Sequence, residues 1–164
     1  MARIYHFIIP LLSIFLVRVD LTDLHPLYLE ASELQVLDGD TVRVKLGGGW
    51  QKVRLNFIDA PELGQQEVGS MSANCLKKNL SFPWMIKVDG FDLYRRILGD
   101  VNEVSIHLIQ EGCAYLYPYA RFYHLRQKGD YLRAQDRARR LKRGLWNFKV
   151  LNPQIYRKSR AKFQ

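Results

Sequence analysis

The chain has 164 residues, 48% of them apolar and 25% charged, which suits one globular domain that can bury a core without staples and leaves no case for a disordered class. Its formal net charge of +9 is unevenly spread: residues 121–164 hold fourteen Lys or Arg against Asp130 and Asp136, and the first 120 residues are net acidic. Such a basic end favours a polyanion, nucleic acid or an anionic membrane, while the acidic part has room for a metal.

Behind Arg3, residues 4–17 form an apolar run that His6 and Pro10 interrupt and Arg18 and Asp20 end. The run is short for a membrane span and reads as an export leader over residues 1–31, with Leu29-Glu30-Ala31 as the candidate cleavage point. An uncleaved membrane anchor and a buried N-terminal helix are the competing readings.

Glu33–Leu37 reads as a strand, and Thr41–Leu46 alternates with period two through Val42, Val44 and Leu46. Gly47-Gly48-Gly49 predicts a hairpin turn, because glycine takes positive φ without steric cost. Trp50–Ile58 is the return strand, stopped by Asp59-Ala60-Pro61. Val68, Met71, Cys75 and Leu76 predict a helix over 68–80. Trp84–Val88 and Arg96–Val101 are the next strands, and Asn102 is the expected cap of a helix running to Gln110 and ended by Gly112. Tyr115–Tyr119 reads as an aromatic loop. Tyr131, Ala134, Ala138, Leu141 and Leu145 form one apolar stripe on a long helix, with Arg133, Arg137, Arg140 and Arg143 mostly off it.

The class is therefore α+β. Strands in this order, with a helix between the third and fourth, suit a five-stranded OB-type Greek-key β-barrel with about three packed helices, preceded by the apolar leader. Residues 32–148 form the folded domain, and 149–164 a basic, frayed tail. Cys75 and Cys113 permit a disulfide in an oxidising compartment, although both also read as small buried hydrophobes.

The chemistry gathers in Asp38-Gly39-Asp40-Thr41 and in Arg54-Leu55-Asn56-Phe57-Ile58-Asp59-Ala60-Pro61-Glu62. Carboxylates at the ends of neighbouring strands repel unless a cation lies among them, and an oxygen-rich set suits a hard ion such as Ca²⁺. An arginine beside it can pair with two phosphate oxygens at once. An aspartate before glycine is more often a turn former than a ligand, and that reading suits Asp38. It suits Asp40 and Asp59 poorly, given an arginine five residues before Asp59 and a Pro-Glu pair after Ala60.

These motifs, followed in order by Asp92-Leu93-Tyr94-Arg95-Arg96 and Gly144-Leu145-Trp146, resemble the staphylococcal nuclease (thermonuclease) family over about Glu33–Phe148. The resemblance implies the OB fold and a Ca²⁺-dependent phosphodiesterase that cleaves DNA and RNA, single strands preferred, with little sequence preference and leaves 3′-phosphate ends. It implies metal ligation by Asp40, Asp59 and the main-chain oxygen of Ala60, where the family often has threonine. Glu62 would activate or position the attacking water, and Arg54 and Arg96 would clamp the phosphate. Tyr94, Tyr117 and Tyr119 are candidates to stack on bases, or else to pack over the barrel. Two departures stand out: Arg95 where glycine is common, able to mis-aim Arg96 or to add a phosphate contact, and Leu93 where lysine is common. An exported monomer is expected, membrane-attached if the leader stays on. The alternative is an OB barrel that binds nucleic acid without cutting it.

Overall fold

The computed structural model describes residues 27–122 and 124–161. The apolar run at residues 4–17 lies outside them. Six strands form one sheet: β1 (Leu27–Ala31), β2 (Glu33–Val36), β3 (Thr41–Leu46), β4 (Gly49–Leu55), β6 (Trp84–Phe91) and β7 (Ile97–Val101), in the order β1-β6-β7-β4-β3-β2. All neighbours are antiparallel except β4 and β7. The outermost strands, β1 and β2, are consecutive in the chain and separated by Ser32 alone, whose amide donates to the carbonyl of Lys45 in β3 at 3.0 Å. One bent strand thus joins the two edges and curls the sheet round on itself. Counted in this way, the barrel has the five strands expected, and the first of them starts upstream of residue 32.

Alternation places Val42, Val44, Val53, Leu55, Ile86, Ile97 and Val101 inside, all essentially inaccessible to water. Three helices cover the barrel: α1 (Glu67–Asn79), α2 (Val104–Gln110) and α3 (Leu125–Arg140), contributing Leu76, Leu108, Ile109, Tyr131 and Ala138 to the interior. A short 3₁₀ turn, Gly144–Asn147, buries Leu145, whereas Leu141 points outward.

Several expectations are corrected. The strand predicted over Trp50–Ile58 stops at Leu55, because Phe57 takes a left-handed φ of 67° and turns the chain away. Ile58–Asp59 then forms β5, which pairs with β8 (Tyr115–Leu116) inside the segment read as a loop. Phe57 is held there by Phe122, stacked at 4.6 Å, and by Tyr131, edge-on at 5.2 Å. Asn102 does not cap α2: its side-chain Nδ2 donates to the carbonyls of Ser81 and Pro83, and the backbone amide of Ser105 is taken by Asp100 instead. Cys75 and Cys113 form a disulfide rather than two free thiols, tying α1 to the segment before β8. Part of the tail read as frayed is a helix, α4 (Pro153–Ala161).

Candidate active site

The β3–β4 hairpin turns through Gly47-Gly48, and its register sets Thr41 opposite Arg54. The amide of Leu55 donates to the carbonyl of Asp40 at 2.8 Å, which pins the loop before β3 against the end of β4. Gly39 is obligatory at this corner, since a Cβ would overlap Ser72 Oγ and Ala60 Cβ. The turn at Phe57 then carries Asp59 back beside Asp40. The sequence folds here so that two carboxylates from separate segments meet.

Arg54 lies between them. Its Nη2 is 3.2 Å from Asp40 Oδ2 and 3.5 Å from Asp59 Oδ1, and its Nη1 donates to the carbonyl of Leu55 at 2.8 Å. Asp40 also accepts from the Ala60 amide at 2.8 Å and the Thr41 hydroxyl at 3.0 Å. Both acids are buried, Asp59 almost wholly. Burial pushes the Asp59 carboxyl above its ordinary value, against the pull of Arg157 and Arg54. Asp38 accepts from the Asp40 amide at 3.0 Å, as a turn former should, and burial together with the Asp40 charge pushes it up to about 6.

Glu62 follows Pro61 and stays partly exposed, its carboxylate 2.8 Å from Arg157 Nη1. Its backbone is fixed twice. The amide donates to Gln65 Oε1 at 3.0 Å, and Gly69 of α1 comes so close to the Glu62 carbonyl that a side chain there would collide with it. Asp40, Asp59, Glu62 and Arg54 are thus drawn into one cluster. Ala60 contributes its amide to that cluster.

Arg96 is placed differently. The parallel register pairs Val53 with Ile97 and Arg54 with Leu98, and Arg96 sits immediately ahead of β7, beside this end of the sheet. Its Nε donates to Asp92 Oδ2 at 2.7 Å and its amide to Asp92 Oδ1 at 2.9 Å. Those bonds hold the Asp92 carboxyl below its ordinary value in spite of desolvation. Among the described residues Arg96 has no ion pair with Asp40, Asp59 or Glu62. Arg95 takes a left-handed φ of 61°, which accounts for the glycine usual at this position in the resembled motif.

Tyr117 and Tyr119 meet edge to face at 5.7 Å and line a cleft of about 350 Å³ with Leu55, Asn56, Asp89 and Leu98. Tyr94 stands outside that cleft, largely exposed, with the Arg96 guanidinium 5.7 Å from its ring. Two participants had not been singled out. Asp92, which holds Arg96, was signalled only by its place four residues before the arginine. Arg157, which bridges Asp59 and Glu62, carried no local signal beyond its basic surroundings.

The donors are all hard oxygens, they converge, and two guanidinium groups now balance their charge. Such a set fits an ion of the Ca²⁺ kind.

The sequence also matches known proteins. Residues 52–148 match the family described as staphylococcal nuclease homologue. The chain is 32% identical over 129 residues to a protein of Shigella flexneri described as micrococcal nuclease, covering 70% of this chain and 71% of that one. It is 35% identical over 121 residues to an Escherichia coli protein described as an uncharacterized endonuclease, covering 70% of this chain and 74% of the relative. With the motif order, the curled sheet and the clustered acids already in place, these matches settle the kinship: the chain belongs to the staphylococcal nuclease family.

Proposed function

We propose that this nuclease is Ca²⁺-dependent and hydrolyses phosphodiester bonds in DNA and RNA, single strands preferred, with little sequence preference and with 3′-phosphate ends as products. The observation that carries the reading is the shared guanidinium: Arg54 faces Asp40 and Asp59 together, with Glu62 joined to the same group through Arg157. Asp40, Asp59 and the main-chain oxygen of Ala60 would hold the ion, which supplies charge neutralisation at the phosphoryl group when bound.

The chain's own groups then have distinct tasks. Glu62, open to water and fixed at its backbone, accepts a proton from the attacking water. Arg54, braced by the Leu55 carbonyl, presents its remaining donors to the phosphate and stabilises the charge that develops on it. Arg96, just ahead of β7, supplies the second clamp, with Asp92 setting its direction. Tyr117 and Tyr119 offer stacking surface beside the cleft, a contact worth ~1–3 kcal/mol per base and indifferent to its identity.

The test is digestion of end-labelled single- and double-stranded DNA and RNA in chelator, then with Ca²⁺ or Mg²⁺ restored. Shortened products that require Ca²⁺ and carry 3′-phosphate support the reading. Cutting that persists in chelator removes the metal, and a band shift without shortening identifies a binder.

The protein is also proposed to be exported, or membrane-anchored if its apolar N-terminal run is retained, and to act as a monomer. Besides that run, the Cys75–Cys113 disulfide supports an oxidising compartment. No helix among the described residues is long and apolar enough to cross a membrane. N-terminal sequencing of the exported protein decides between release and anchoring.

A further inference from the structure

One cation in the site belongs to the chain itself. Arg157 Nη2 is 3.0 Å from each oxygen of Asp59, and Nη1 is 2.8 Å from Glu62 Oε1. A carboxylate facing one nitrogen with both oxygens offers it the bite that it would offer a divalent ion.

The helix carrying Arg157 is seated on the same loop. Tyr156 donates its hydroxyl to the carbonyl of Gly64 at 2.8 Å, and the Gln65 amide group donates to the carbonyl of Leu151 at 2.9 Å. Yet α4 is lightly held. It has nine residues, it buries only Pro153, and Ile155 remains exposed. A helix this short has little stability apart from its docking, so those few polar contacts are what keep it in place.

We propose that α4 is a built-in plug: Arg157 engages both oxygens of Asp59, one of the proposed metal ligands, together with Glu62 beside it, and metal gains Asp59 only as α4 swings away. The proposal rests on the metal-dependent site argued above. A site open in only a fraction of molecules shows an apparent affinity lowered by that fraction, so freeing it tightens binding without any new ligand.

Calorimetric titration of the full chain with Ca²⁺, in wild type and in Arg157→Ala, tests the plug without reference to turnover. The variant is expected to bind about tenfold more tightly, the weight of one charge-assisted bidentate contact. Tyr156→Phe keeps the guanidinium but loosens the seat, and should move affinity the same way by less. Hydrogen exchange of residues 153–161 in wild type should speed up when Ca²⁺ saturates the protein. Equal or weaker binding by Arg157→Ala, or unchanged exchange in α4, overturns the plug while leaving the metal site intact. If neither protein binds Ca²⁺, the metal assignment fails and the plug fails with it.

Discussion

Arg54 Nη2 is shared by Asp40 and Asp59 while Nη1 is tied back to the Leu55 carbonyl, so the guanidinium is aimed by three contacts. A lysine ammonium is a compact point charge and cannot keep one side on the acids and present a flat fork to a phosphate. Arg54→Lys should therefore retain the fold, read as an unchanged circular dichroism spectrum, and lose about 10²-fold or more in kcat, the range found on removing one transition-state donor.

Arg95 is a long, charged residue at φ 61°, a conformation that costs an L-residue about 1 kcal/mol and glycine almost nothing. Arg95→Gly should raise the melting temperature by a few degrees. The Asp92 bonds to Arg96 do not involve the Arg95 side chain, so the aim of Arg96 should survive the change. Lower stability in the variant would mean that the Arg95 side chain supplies a contact larger than the strain.

Asp100 is buried near the start of α2, where it accepts from the Ser105 amide, and burial pushes its carboxyl up to about 7. A folded-state value above the unfolded one means that the neutral acid is favoured in the native protein. Stability from this group is complete below about pH 4 and is lost as pH rises toward 7. Asp100→Asn keeps an acceptor for Ser105 and carries no charge. It should flatten this part of the profile and be the more stable protein at pH 8, by about 1 kcal/mol or more, measured by urea unfolding at pH 5 and pH 8.

The Cys75–Cys113 bond closes a loop with a sequence separation of 38 and joins α1 to the segment leading into β8. Its removal should cost about 2–4 kcal/mol, on the loop-closure account. Ser72 and Gly39 stack in the same region, Ser72 donating to the Cys113 carbonyl at 2.5 Å. Melting in reductant, or in Cys75→Ala/Cys113→Ala, should thus fall well below that of the oxidised protein. Coincident melting curves would show that the bond does not constrain the unfolded chain.

The part of the site legible in the sequence is the part that local rules control. The run Gly47-Gly48-Gly49 announces the hairpin, but the exact register does not follow from it: the turn uses only Gly47 and Gly48, Gly49 already pairs with Leu46, and this sets Arg54 opposite Thr41. Period-two alternation then separates Arg54 from the interior. Phe57 obeyed no such rule, since nothing in a phenylalanine announces a left-handed backbone; Phe122 and Tyr131, distant in sequence, hold it there. The same is true of Arg157, which meets Glu62 across 95 residues. Asn102 had the right residue type for a cap, but α2 begins one residue too late for it, with Glu103 at the N-cap, and the carbonyls of Ser81 and Pro83 hold its side chain. Arg96 was recognisable as a member of a motif, whereas its dependence on Asp92 is a matter of three-dimensional aim.

Ala31 is inaccessible to water and hydrogen-bonded strand to strand with Trp84, in a segment where the sequence suggests a peptidase site. Cutting after that alanine would strip β6 of its outer neighbour and bare the main-chain amides and carbonyls of Trp84–Val88. An edge bared in this way is a template for pairing with strands of other molecules. The pairing of β1 with β6 thus makes Leu27–Ala31 part of the fold, and trimming ahead of Leu27 would leave that pairing whole.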